Sequence, residues 1–375
     1  MLPYGRQSID ESDILAVTEA LRSDWLTTGP MVDKFEEAIS LVAGGSQAVA
    51  VTSGTAALHT AYVAAGVQAG DEVVTTPLTF VATAATAAIA GAKIVFADVE
   101  ASTGNLSIEA ARCLITDRTR AITAVDYAGL PVDAEAFTRL AHEHGALFIE
   151  DAAHSVGSIL NGSPVGEIAD LTTFSFFPTK NLTTGEGGAV VSPDGRLATR
   201  ARNFKGQGLV RDSNALRYPE EGPWHQEVHE FGINYRLPDI LCALGLSQIG
   251  KLEQFKRRRQ QIHNLYNEAF ATNDELVIPG VMDEASPAWH LYPLRVPAER
   301  RRVIFDELRS RGFGVQVNYI PVYWHPVFED LGYRRGMCPN AEAYYRQEIS
   351  LPLFPGLTDG QVHQVIENVL DVVAS

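Results

Sequence analysis

Short apolar runs separated by helix-periodic stretches fill the first two thirds of this chain. That alternation restricts the fold more than any other feature. The runs lie at residues 48–52, 72–76, 93–97, 121–125, 146–150, 171–176 and 189–192. Each is short and almost continuously apolar, as expected of strands buried on both faces. Helical patterns at 56–65, 81–90 and 134–144 fall between them. Buried strands joined by helices predict an α/β fold, with a mostly parallel sheet and helices on both faces. The runs at 171–176 and 189–192 stand too close for a helical crossover, so at least one pair there is expected to be antiparallel.

The rest of the chain reads differently. Residues 206–231 are rich in Gly, Pro and charge and predict a long loop, a kind of segment that is usually functional or mobile. Pro238 opens a long helix expected over 239–270, since proline is tolerated in a first turn. The run Lys256-Arg257-Arg258-Arg259 on that helix reads as a solvated face. After Pro287 a smaller strand–helix unit follows. The expected division is a large domain over 1–255 and a small C-terminal α/β domain over 256–375.

Thirty Lys+Arg against 46 Asp+Glu give a net charge of −16, which argues against a nucleic-acid or anionic-membrane surface. Cys113, Cys242 and Cys338 form no CxxC pair, so neither a disulfide framework nor a metal site is expected. The first residues lack the apolar core of a signal peptide, and no stretch is long and apolar enough to span a bilayer. A cytoplasmic protein with reduced thiols is the expectation.

The chemistry concentrates after the strands. Lys180 follows 171–176 in a turn rich in Thr and Gly, and it is the only lysine between Lys93 and Lys205. Asp151 directly follows Leu147-Phe148-Ile149-Glu150, at the carboxyl end of a buried strand, where open α/β sheets bind ligands. A lysine and a strand-end acid suit pyridoxal phosphate (PLP). The lysine holds the aldehyde as a Schiff base, and the acid pairs with the protonated pyridine nitrogen. Without that pairing Lys180 is a surface lysine and Asp151 a cap on the following turn. Ser53-Gly54-Thr55 ends a strand and opens a helix, which suits a phosphate but is also a common helix cap. Ser175 is placed to touch the same phosphate. Phe80, after the next strand, either lies on the ring or is core. His154 either contacts the cofactor or is structural. Asn234 and Asp239 read, on composition, as caps and turns.

Together these segments resemble the sugar aminotransferases of the DegT/DnrJ/EryC1/StrS type, PLP-dependent transferases of fold type I, the aspartate-aminotransferase fold. The resemblance is nearly full length. It rests on Trp25-Leu26-Thr27-Thr28-Gly29-Pro30 with Phe35-Glu36, on residues 52–58, 70–73, 77–82, 91–93, 150–154, 174–188 and 232–237, and on Ala243-Leu244-Gly245. It implies that Lys180 holds the cofactor and shuttles the proton, that Asp151 holds the pyridine nitrogen and that Phe80 stacks on the ring. It further implies that Gly54, Thr55 and Ser175 hold the phosphate. Asn234 would reach the phosphate site of a partner subunit, which makes a homodimer the functional unit.

Residues 125–129 and 317–323 resemble the pseudaminic-acid branch, whose enzymes aminate C4 of a UDP-linked 4-keto-6-deoxy-hexosamine. One departure bears on substrate. Many relatives carry Arg-x-His-Gly where this chain has Lys205-Gly206-Gln207-Gly208, and glutamine cannot act as a cation. The expected reaction moves an amino group from L-glutamate to a keto-sugar, nucleotide-linked at C4, or alternatively to a keto-cyclitol of an antibiotic pathway. Glu186, Tyr319, Tyr323, Trp324 and His325 are candidates for the sugar-facing wall, with a core role for the aromatic residues as the alternative. A PLP-dependent sugar dehydratase and a non-catalytic regulatory relative are the rivals. Lys180 opposes the first, and the joint presence of Asp151, Lys180 and Asn234 opposes the second.

Overall fold

The computed structural model describes residues 1–375. Its central sheet is built from β1 (Gln47–Val51), β2 (Glu72–Thr75), β3 (Lys93–Phe96), β4 (Thr119–Val125), β5 (Leu147–Asp151), β6 (Leu171–Ser175) and β7 (Gly188–Ser192). All seven expected runs are strands. In space the order is β1-β7-β6-β5-β4-β2-β3. β7 pairs antiparallel with both β1 and β6, and every other pair is parallel. The expected antiparallel pairing near the lysine turn is therefore present on both sides of β7.

While α1 (Glu11–Arg22) packs on the helix Asp239–Ile249, other helices cover the two faces of the sheet, α2 (Pro30–Val42), α3 (Gly54–Ala64) and α4 (Ala82–Ile89) among them. The strand period of two divides β1 between them. Val49 and Val51 pack with Ala57, Ala61, Tyr62 and Ala84 of α3 and α4, whereas Ala48 and Ala50 pack with Phe35 and Ile39 of α2. The alanine-rich faces of α3 and α4 let these helices lie close to the sheet.

The long helix expected over 239–270 is two helices, Asp239–Ile249 and Leu252–Phe270. The chain breaks at Gly250, the weakest helix former after proline. Lys251 turns its ammonium to Asp10 and Asp13 at the start of α1, at 2.8 and 2.7 Å. Asp239 is a cap, as composition suggested, but of another helix. Its carboxylate accepts from the Gly29 and Met31 N–H groups at 2.7 and 3.0 Å and closes the N-terminus of α2. The reading of residues 256–259 as a solvated face is incorrect. Arg257 is exposed, but Lys256 donates to the Gly157 carbonyl, Arg258 pairs with Asp359, and Arg259 is buried.

The loop over 206–231 contains one small ladder, Leu209–Val210 with Glu227–Val228. Beyond it, the antiparallel strands Tyr292–Arg295 and Glu348–Leu351 and the helices Arg301–Ser310 and Asp359–Ala374 surround a separate cluster of 24 buried residues. Residues 322–344 do not join it. Val322, Tyr323, Phe328, Ala341 and Tyr344 pack into the core beside Phe96 of β3. No helix is long and apolar enough to cross a membrane.

Candidate active site

A cavity of about 510 Å³ opens at the carboxyl ends of β4, β5 and β6 and takes Val125, Asp151 and Ser175 from those ends. It brings together Ser53, Gly54, Thr55, Phe80, Asp151, His154, Ser175, Lys180, Glu186 and Tyr319. These segments are far apart in sequence, and all but that of Tyr319 meet because they end, follow or precede a strand of one sheet.

Asp151 is the last residue of β5 and is 3% exposed. Its Oδ2 accepts the Thr83 hydroxyl at 2.7 Å, and its Oδ1 accepts the Ala153 N–H at 3.2 Å. No lysine or arginine bonds it. Burial pushes its carboxyl above the usual range, while Thr83, Ala153 and the charge of Lys180 oppose that rise. A buried carboxylate that faces a cavity with no cation bonded to it suits a protonated pyridine.

Lys180 stands in the turn after β6, where its N–H donates to the Phe177 carbonyl at 2.9 Å. Burial pulls its amine down to about 8, against the opposing charge of Asp151. A neutral amine is the form that attacks an aldehyde.

The N-terminus of α3 forms another wall. Ser53 caps it, accepting from the Ala56 N–H at 3.1 Å. The remaining first-turn N–H groups have no intrahelical acceptor and, with the helix dipole, favour an anion. Gly54 lies so close to β6 that a Cβ there would stand 2.7 Å from Ser175 Cβ. Glycine is thus required for the close approach of helix and strand that brings the hydroxyls of Ser53, Thr55 and Ser175 together.

Phe80 is 58% exposed and meets Tyr319 edge-on, with centroids 6.2 Å apart, so it is not core. His154 bonds the Tyr319 hydroxyl through Nε2 at 3.1 Å, and its Nδ1 is buried without a partner. Its ring lies 4.4 Å from that of His290, and burial holds both histidines well below their usual range, hence neutral. The acid, the amine, the apolar ring and the helix-end hydroxyls form a set that fits PLP.

Three sequence expectations are corrected. Tyr323 is fully buried, packs on Phe96 and donates to Glu342 at 2.7 Å, so it is core. Trp324 packs against Tyr345 and donates to Glu342. His325 starts the short helix Pro326–Asp330 and lies outside the cavity. Asn234 also lies outside the cavity of its own chain; it is exposed, and its Oδ1 accepts from Arg236. The structure adds Tyr4, Thr83, His290, Gln316 and Asn318 to the walls. Thr83 was findable, one helical turn after Phe80. Tyr4 and His290 carried no local signal, since they reach the cavity from distant segments.

The whole chain resembles known proteins. The model of the DegT/DnrJ/EryC1/StrS aminotransferase family matches residues 7–370. The spore coat polysaccharide biosynthesis protein SpsC of Bacillus subtilis is 39% identical over 378 residues, covering 99% of this chain and 97% of the relative. The UDP-4-amino-4,6-dideoxy-N-acetyl-beta-L-altrosamine transaminase of Campylobacter jejuni is 38% identical over 359 residues, covering 94% of this chain and 92% of the relative. Among solved structures, Helicobacter pylori PseC, an aminotransferase involved in the biosynthesis of pseudoaminic acid, superposes with a TM-score of 0.93 at 32% identity. It covers 100% of this chain and 99% of that one.

Proposed function

The chain belongs to the DegT/DnrJ/EryC1/StrS aminotransferase family, and from that premise we propose that it transfers an amino group from L-glutamate to C4 of a nucleotide-linked 4-keto-6-deoxy-sugar. It is a PLP-dependent aminotransferase of fold type I. The observation that carries the reading is the meeting of Asp151, Lys180 and the α3 N-terminus in one cavity. The relatives' named activities support the nucleotide-linked substrate and its position.

When bound, PLP supplies an aldehyde and an electron-withdrawing ring. The Lys180 amine would hold the aldehyde, and the same amine, buried in the cavity, would serve as the base that moves the α-proton of the amino donor. Asp151, oriented by Thr83, would pair with the protonated ring nitrogen. Ser53, Gly54, Thr55 and Ser175 would hold the phosphate, and Phe80 would stack on the ring. His154 and Tyr319 line the same cavity as a hydrogen-bonded pair. Glu186 and Tyr319 are proposed to face the sugar.

The functional unit is proposed to be a homodimer. Asn234 is exposed and lies outside its own cavity, and Phe231 and Ile233 near it are 97% and 39% exposed. An apolar, outward-facing segment next to a polar anchor suits a partner surface. We place the domain boundary near residue 255, on the helix Leu252–Phe270, which contributes to the C-terminal cluster.

The visible spectrum of the protein with PLP, before and after L-glutamate, tests the reading, with Lys180→Ala alongside. The expected result is a band that glutamate bleaches in the parent only. Turnover of a UDP-linked 4-keto-6-deoxy-hexosamine to its 4-amino product tests the substrate. A protein that takes up no PLP overturns the proposal.

A further inference from the structure

Arg259 has an unusual environment. It is 1% exposed, and no carboxylate lies within ion-pair distance of it. Its guanidinium is surrounded by main-chain carbonyls from three separate stretches. Nη1 donates to Leu353 at 2.9 Å and reaches His290 and Trp289 at 3.3 and 3.4 Å. Nη2 reaches the carbonyls of Lys180 and Thr179 at 3.4 and 3.5 Å. Nε is buried and unpartnered. Burial pulls the guanidinium down to about 10.

A buried cation without an anion is costly unless dipoles solvate it. Here the dipoles belong to the turn that carries Lys180 and to the segment that carries His290, both of which line the same cavity. Only a planar fork with several donors spans both. The Asn181 side chain adds one neutral tie between the same stretches, to the Ala288 carbonyl.

We infer that Arg259 is a positioning residue for Lys180: its guanidinium fixes the main chain of the Lys180 turn against the His290 segment and sets the spacing of the two cavity walls. The inference rests on Lys180 as the cofactor lysine. The other charged or titratable groups around the Lys180 side chain are Tyr4, Asp151, Glu186, His154, His290 and Tyr319 in the cavity, and Arg6, which lines a smaller pocket with Lys180 and Arg259.

The test uses the PLP-loaded protein, Arg259→Gln and Arg259→Lys. Two readouts are taken: kcat against KM for the keto-sugar, and the visible band of the cofactor held on Lys180. The parent is measured first. A parent that shows no such band sinks the cofactor reading itself, whereas a normal parent makes the variants a test of Arg259 alone. In Arg259→Gln kcat falls about 10- to 100-fold while KM stays within about threefold, the mark of lost alignment rather than lost binding. In Arg259→Lys the charge returns and the fork does not, so kcat does not recover. If the glutamine variant fails to fold, the lysine variant decides. A kcat at least about fivefold below the parent supports positioning by the fork, and a smaller change overturns it. Variants that lower only thermal stability, with kcat unmoved, overturn the proposal as well.

Discussion

The Thr83 hydroxyl donates to Asp151 Oδ2 at 2.7 Å and thereby ties the cavity acid to the first turn of α4. Thr83 is itself held. Its Oγ1 lies 2.8 Å from the Thr79 hydroxyl, and its carbonyl accepts the Tyr62 hydroxyl at 2.9 Å. Asp151 is therefore oriented by a buried hydroxyl network and not by a charge. Thr83→Val keeps the shape and removes the donated proton. A hydrogen bond to a charged group is worth about 1.5–3 kcal/mol. The variant is expected to lose about 10- to 100-fold in kcat. Thr83→Ser should recover most of it, and a valine variant with parental kcat would show that Asp151 needs no orienting partner.

Gly54 tests the phosphate cradle. A methyl group there would stand 2.7 Å from Ser175 Cβ, and β6 cannot retreat because it is paired on both sides. Gly54→Ala is expected to push α3 off the strand and separate the hydroxyls from the helix end. PLP affinity, measured by titrating the cofactor-free protein, should fall about tenfold or more, since charge-assisted hydrogen bonds depend on position. Unchanged affinity would remove the α3 N-terminus from the phosphate site.

The sheet was legible because its strands are buried on both faces, so composition alone marks them. Asp151 and Lys180 were legible because one ends such a strand and the other lies in the turn after the next one. The failures share a cause in contacts between distant segments. Tyr323 was read with Tyr319 as part of one wall, but the turn at 322–324 sends Tyr323 inward onto Phe96, over two hundred positions earlier in the chain. Arg259 was hidden within a basic run. Yet Phe255, Ile262 and Tyr266 recur with it at helical spacing, and all are buried. The period of the apolar neighbours placed Arg259 on the inner face, and that signal outranks the charge of the run.

Glu36 predicts an acid-side loss of stability. Its carboxylate accepts from Lys205 and Arg202, both at 2.6 Å, and from the Ala50 N–H at 2.9 Å. Burial raises its carboxyl, but the two cations outweigh that and hold it below the usual 4.5. A lowered folded value means that the stabilisation is complete above the unfolded value and is lost as pH falls through the folded one. Glu36→Gln leaves two cations together, one of them buried, and is expected to cost about 3 kcal/mol. Chemical denaturation at neutral pH and near pH 3 measures both. The gap between parent and variant should narrow in acid, and a constant gap would mean that Glu36 acts through shape and not charge.

Lys180 predicts the pH dependence of cofactor capture. Its amine titrates at about 8 in the folded chain against 10.5 for an ordinary lysine. Between those values the unfolded chain binds more protons than the folded one, so the stability of the cofactor-free protein from this group rises with pH across that window. The neutral amine is the nucleophile, so the rate of PLP capture should rise through about pH 8 and then level. Asp151 opposes the lowering, because its negative charge favours the ammonium form. Asp151→Asn removes that charge and should move the midpoint of the capture rate to lower pH, even though the bound cofactor then works poorly. Stopped-flow absorbance on both proteins reads the two midpoints. A parental midpoint near 10.5 would make Lys180 an ordinary solvated lysine, and an unmoved midpoint in the variant would separate Asp151 from the electrostatics of the amine.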